Sequence, residues 1–464
     1  MPSVDIAAAT TRGGVIFRNG KRELLEKLKA LRPVDPLTQP VFIAPSAWSP
    51  STAYIKGEAV ANGGNWYVCT VAGTSAGSGG PSGTDTTMIV DGTVKWQFFS
   101  PARAVTTVDA PTIATTTSAP GDLTTQVNIG GGGWSKKFDI STAFGVQDNG
   151  AGNIVPTVTL PRTPVSTTGD AIWEFMTDAP RFSFQTYYCA AYRILVDGVS
   201  VTIGDYKTAG PTADAYVTLD FGSVRRPRRI TIIGAENPKS VRITAVDRIW
   251  SPSPPPLRGV FIGDSWGAGA APGPSRRGDQ MGNHMARFLG IGEAIANSSV
   301  GGTGFNATNG STAYNYLQRM TLGAATVAAD KPLDFVLLQG SGNDIGTAAD
   351  AALQAQYLAC LQKARELWPY ATIVMTEIVS TLTPANSGVI TTNALLRAAF
   401  DQFADPNSAF VPISSTNTRE AQAWIGTDNS ATYIGDGGDL HPRDAGHLMF
   451  GRRLAAGLRY ALAA

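Results

Sequence analysis

Residues 257–267 read LRGVFIGDSWG, and this stretch decides the fold of the C-terminal part of the chain. Its apolar run Val260-Phe261-Ile262 lies between glycines, which predicts a strand buried on both faces. The Gly263-Asp264-Ser265 turn then sets a serine at the strand's carboxyl end. Outward from this point the pattern alternates. A helix is expected near 278–290, a strand at Asp334–Gln339, a long helix at Ala351–Leu367 and a strand over 371–379. A helix over 392–404, a strand over 409–414 and a terminal helix over roughly Asp444–Leu462 complete the series. Strands alternating with helices of this length predict a parallel sheet covered on both faces, with reactive groups at the carboxyl ends of its strands.

Upstream the period changes. The Pro-rich stretch 251–256 reads as a stiff linker. Over 105–250, runs such as AIWEFMT, RFSFQTYY, YRILVDGVSVT, AYVTLDF and RRITIIG alternate with period two, and Asp197-Gly198 marks a hairpin turn. Six or more strands without helices predict a β-sandwich or jelly roll. Residues 41–104 carry short strands separated by Gly, Ser and Asn turns, with Trp48, Tyr54, Trp66, Tyr67 and Trp96 close together, which predicts a small β module. Residues 1–40 hold one helical pattern, Arg22 to Leu31, suited to an adaptor or a packing role. A chain of 464 residues fits such a division, since single cores stop growing well below that length.

Composition excludes several classes of partner. Charged residues make up 16% and the formal net charge is +1, so no global field recruits nucleic acid or an anionic membrane. The cluster Arg225, Arg226, Arg228 and Arg229 reads as a solvated strand end. Cys69, Cys189 and Cys360 are too far apart for a disulfide framework or a CxxC metal site and read as buried thiols. The N-terminal MPSVDIAAATTRGG lacks a signal-peptide pattern, and no apolar run reaches the roughly 18 residues of a membrane span. Action outside the cell or on a phage particle remains the expectation, and nothing bears on oligomeric state.

A serine nucleophile needs a base, a group orienting that base, and donors for the oxyanion. There are three histidines. His284 lies in a helical stretch as a surface or packing residue, and His447 lies inside the terminal helix as a structural one. His441, in Asp436-Gly-Gly-Asp439-Leu-His441-Pro442, sits in a loop just before that helix, where a base would be held. No histidine and carboxylate spacing suggests a metal, and no glycine pattern after a strand suggests a nucleotide, so no cofactor is expected.

Four segments in order, FIGDSWG, Asn297-Ser-Ser-Val-Gly301-Gly302-Thr303, LLQGSGND and DLHPRDAGH, resemble the blocks of the SGNH hydrolases, also called the GDSL esterase/lipase superfamily. The resemblance implies a flavodoxin-like three-layer α/β/α domain. It makes Ser265 the nucleophile and His441 the base, with the Ser265 and Gly302 backbone N–H groups and the Asn343 amide facing the oxyanion. Two positions depart from the pattern. Ser341 stands where the third block usually has glycine, and Gly438 stands where the acid usually lies. Asp439 is the preferred acid, Asp436 the alternative, and a backbone carbonyl behind His441 the third option.

Residues 41–104 resemble carbohydrate-binding modules of families 5 and 12, through Trp48, Tyr54, Gly57, Val60, Trp66-Tyr67, Gly73-Thr74-Ser75 and Trp96. Those aromatics suit either sugar stacking or the module's own core. A β-domain followed by an SGNH domain resembles carbohydrate esterase family 2, which implies removal of O-acetyl groups from a polysaccharide. The alternatives are an esterase or lipase acting on small acyl esters, and a phage tail or adhesion protein with an accessory deacetylase.

Overall fold

The computed structural model describes residues 10–12, 15–17, 20–85, 87–128, 146–148, 154–156, 171–186, 191–207, 215–234, 238–250, 252–253, 255–270, 273–292, 295–308, 314–321, 333–379, 386–413, 433–434 and 441–464. Its C-terminal sheet has five parallel strands, in the spatial order Ile295–Asn297, Gly259–Ile262, Phe335–Ser341, Thr372–Val379 and Ser408–Val411. The strand order reverses beside Gly259–Ile262, and an open sheet of this kind offers its ligand crevice at that switch point. Ser265 therefore leaves the sheet at the favoured place. Gly259–Ile262 and Phe335–Ser341 are buried at every position, which explains their unbroken apolar character.

Helices Met281–Leu289 and Asp444–Ala463 pack on each other, as do Asp350–Leu367 and Ser387–Phe403. The first helix, Gly20–Lys29, belongs to this assembly, because Leu24, Leu25 and Leu28 lie in the same hydrophobic core as the sheet. Its packing role is thus met far along the chain from its own neighbours.

The middle region is a β-sandwich. One sheet runs Thr112–Thr116, Ala215–Asp220, Arg181–Thr186, Pro238–Ile243, Thr125–Asn128, and the other is built on Ala171–Thr177, Arg228–Gly234, Ala191–Val196 and Val199–Thr202. Phe182, Phe184, Val217 and Val241 of the first meet Phe175, Ile194, Ile230 and Ile232 of the second in one core. Asp197 and Gly198 both take positive φ, 52° and 83°, as the tight hairpin between two strands requires. Val41–Ile43 joins the second sheet in parallel beside Val199–Thr202. Most of 129–170, which any jelly-roll assignment includes, lies outside the described residues.

The arginine cluster departs from a purely solvated face. Arg228 is fully buried, donates through Nε and Nη2 to Asp109 at 3.1 and 2.5 Å, and lies 4.0 Å over the Phe221 ring. Arg225 and Arg226 are also paired, with Asp178 and Asp247 and with Asp109 and Asp197. Cys69 and Cys360 are buried free thiols, as their apolar flanks predict, while Cys189 lies outside the described residues.

In the small module, Trp66, Tyr67 and Trp96 are buried, and the half-buried Tyr54 meets Trp96 edge-on at 4.8 Å. Asp91 organises the centre: its carboxylate accepts from Trp48 Nε1 at 2.8 Å, Trp96 Nε1 at 3.0 Å and the Ala76 N–H at 2.9 Å. Trp48, Tyr54, Tyr67 and Trp96 thus share the module's own core, while Trp66 packs with Val41, Val68 and Ile203 against the sandwich. Asp91→Ala leaves one buried donor and two partly buried ones without that acceptor and is expected to lower stability by about 2–3 kcal/mol. Urea unfolding of the full chain followed by tryptophan fluorescence measures this. No helix among the described residues is long and apolar enough to cross a membrane.

Candidate active site

The strand Gly259–Ile262 ends in a turn that leads straight into a one-turn helix, Ser265–Ala268. Asp264 is its N-cap, accepting the Trp266 N–H at 2.9 Å. Ser265 opens the helix and is 9% exposed. Its own N–H is among the helix's first N–H groups, which have no intrahelical acceptor and so can face an anion. Gly263 and Gly267 make the turn possible. A Cβ on Gly263 would lie 2.4 Å from Gln339 Oε1, and one on Gly267 would lie 2.3 Å from Ser299 Oγ.

The second block lies against Ser265. Its chain is pinned to the first strand by Ser298 N–H to Phe261 O at 2.7 Å and Val300 N–H to Gly263 O at 3.1 Å. A Cβ on Gly301 would sit 3.6 Å from that of Ser265, and Gly302 adopts φ 70°. The third block joins the second: Asn343 Nδ2 donates to Thr303 O at 3.0 Å, leaving the second N–H of the same amide for another acceptor.

Ser341, the departure in the third block, has a structural role. Its hydroxyl oxygen lies 2.7 Å from Asp264 Oδ2 and 3.1 Å from Thr303 O, and accepts the Asn343 N–H at 3.2 Å. One side chain thus ties Asp264, the second block and Asn343 together.

His441 stands one residue before Pro442, which bridges to Ile434, and three before the helix Asp444–Ala463. That helix packs on the turn that carries Ser265, with Trp266 and Phe450 ring centroids 5.3 Å apart. Asp436 and Asp439 lie outside the described residues. His284 and His447 are both buried, in keeping with packing and structural roles. Among the described residues, no group of three or more His, Cys, Asp or Glu could hold a metal.

Asp264 is almost wholly buried, and desolvation pushes its carboxyl up to about 6 in spite of hydrogen bonds from Ser341, Trp266 and Gln339. The folded protein therefore holds this proton more tightly than the unfolded chain. The resulting stability is fully present below the unfolded value near 4 and is lost as pH rises through about 6. In Asp264→Asn that loss is expected to vanish. Between pH 4 and 7 the wild-type protein should lose about 2 kcal/mol more than the variant. Unfolding midpoints of both proteins across that range give the comparison.

Two residues of the site carry no sequence signal strong enough to mark them. Arg319, 1% exposed, donates to the carbonyls of Ser298 and, at 3.0 Å, Gly263, and to Thr303 Oγ1 at 3.2 Å. Asp344, beside Asn343 in the third block, accepts the N–H groups of Phe305, Asn306 and Ala307 at 3.0, 3.0 and 2.9 Å. Its place in GSGND was the only clue; Arg319 lies in no block.

Residues 261–449 match the GDSL-like Lipase/Acylhydrolase family, which supports ester hydrolysis for this domain. No curated protein matches the sequence. Among solved structures the chain is similar to the salicylyl-acyltransferase SsfX3 from a tetracycline biosynthetic pathway, with 18% identity, coverage of 72% of this chain and 98% of that one, and a TM-score of 0.50. It is also similar to two family two carbohydrate esterases. The one from Cellvibrio japonicus has 16% identity, 76% and 99% coverage and a TM-score of 0.49. The one from Clostridium thermocellum, in complex with cellohexaose, has 16%, 64% and 93%, and 0.47. At such identities the likeness concerns fold alone.

Proposed function

We propose that the chain is a serine ester hydrolase that removes O-acetyl groups from a polysaccharide. The observation that carries the chemistry is the joining of three blocks at one sheet end, with Ser265 at a helix start, Gly301-Gly302 beside it, and Asn343 bonded to the residue that follows them. His441 removes the Ser265 proton as Oγ attacks the ester carbonyl. The Ser265 and Gly302 N–H groups and the Asn343 amide hold the oxyanion. His441 then protonates the leaving alcohol, and water repeats the cycle on the acyl-enzyme. Asp439, Asp436 or a main-chain carbonyl supplies the acceptor behind His441, in that order of preference. No metal or cofactor takes part.

A polymeric substrate is supported by the domain order, a small β module and a β-sandwich ahead of the hydrolase domain. Acetate release from acetylated xylan and from acetylated bacterial capsule tests it, with Ser265→Ala as control. Release at rates above those on long-chain acyl esters is the expected result. A preference for long acyl chains, or release that survives Ser265→Ala, overturns it.

A further inference from the structure

Five consecutive residues downstream of the nucleophile's helix are gripped by all three folded units. Ser275 donates its N–H at 2.8 Å and its hydroxyl at 2.5 Å to the Asp444 carboxylate. Arg276 donates to the Ile203 carbonyl at 3.0 Å and lies 4.5 Å over the Phe99 ring. The Arg277 N–H meets the Asp205 carboxylate at 3.1 and 3.0 Å. The Gly278 carbonyl accepts from Arg287 at 2.6 Å. Asp279 is 2% exposed and receives Arg193 at 2.5 Å, Arg287 at 2.7 Å and Arg276.

These partners divide by domain. Arg193, Ile203 and Asp205 come from the sandwich, Phe99 from the small module, and Arg287 and Asp444 from the hydrolase domain. The small module also reaches the segment through Gly57, at φ 92°, where a Cβ would lie 2.8 Å from both the Ser275 carbonyl and Asp205 Oδ2. A buried ion pair adds little net stability, because desolvation offsets its attraction, so a fixed geometry is the gain to test.

That geometry leads to the histidine. Asp444 opens the helix three residues after His441. On the other side the Arg443 N–H is bound by the Tyr433 carbonyl at 3.0 Å, and Pro442 bridges to Ile434. The turn that carries His441 is thus held at Asp444 by Ser275, and the residues that follow Ser275, Arg276, Arg277 and Asp279, are held by the two β domains. We propose that Ser275 is a positioning residue for His441, and that the β domains set it through Arg193–Asp279 and Asp205–Arg277. They are then part of the catalytic apparatus, beyond any hold on a polymer. This inference rests on the Ser265–His441 reading above.

The test uses the full chain as Ser275→Ala and, separately, Arg193→Met, which leaves Asp279 paired with Arg276 and Arg287. With only three histidines, the His441 ring signal is assigned in the NMR spectrum by His441→Ala. In both variants that signal is expected to shift, and kcat on p-nitrophenyl acetate to fall about tenfold, with KM within about twofold. A merely structural contact would lower the melting temperature and leave the ring signal in place. An unmoved His441 signal in either folded variant overturns the proposal. If the wild-type protein shows no Ser265-dependent hydrolysis, the proposed function fails, and the ring signal alone still decides the positioning role.

Discussion

Ser265→Ala is expected to lower the rate of ester hydrolysis by about 10⁴-fold or more, with little change in stability. The substitution removes one oxygen from a side chain that is 9% exposed and opens a helix capped by another residue. Asp264 keeps its bonds to Trp266, Gln339 and Ser341, so the turn itself is not disturbed. Alanine is also the best helix former, and the position has negative φ. What is lost is the nucleophile alone. His441→Ala should cost about as much, and the double variant no more than either, because nucleophile and base act as one unit. Steady-state rates on p-nitrophenyl acetate and melting temperatures of the three variants check this. A single variant that keeps more than about a tenth of the wild-type rate removes the acyl-enzyme mechanism.

The legible parts of this molecule are those with local causes. Val260-Phe261-Ile262 reads as a buried strand because both of its faces are covered, and the helix ending near Leu367 reads from its length and spacing. Asp197-Gly198 reads as a turn because few residues accept positive φ. The fate of the first helix was not legible, since its leucines report an apolar face and not the distant sheet that covers it. The same holds for Arg228: Pro227 before it is exposed and Arg229 after it is half-buried, while its acceptor Asp109 lies 119 residues away. In the candidate site, the segments around Ser265, Gly301-Gly302 and Asn343 were legible because they are short turns of restricted composition, and the structure brings these three together. Arg319 and the Ser275–Asp279 brace were not, because their work is done on main-chain atoms and on partners from other domains. A lone arginine in an ordinary helical stretch looks the same whether it is solvated or buried.

Arg319→Met carries the second large expectation, a loss of about 3–5 kcal/mol in stability together with about 10²-fold in kcat. Methionine approximates the arginine stem but supplies no donor. The carbonyls of Gly263 and Ser298 and the Thr303 hydroxyl then lose their common partner inside the protein. Burial lowers the Arg319 pKa to about 10, so the guanidinium is charged at neutral pH, and its bonds are of the stronger, charge-assisted kind. The catalytic loss follows from where those acceptors are. Gly263 begins the turn that presents Ser265, while Ser298 and Thr303 flank Gly301-Gly302. One planar fork thereby fixes the Ser265 turn against the loop proposed to face the oxyanion. Arg319→Lys should recover part of the stability through a single point donor, but less of the rate, because an ammonium cannot span three acceptors in one plane. Urea unfolding and kcat on p-nitrophenyl acetate separate the two effects. A methionine variant that loses stability but keeps its rate would reduce Arg319 to a packing role, whereas a kcat ordered wild type, lysine, methionine would make it the clamp that holds the two turns together.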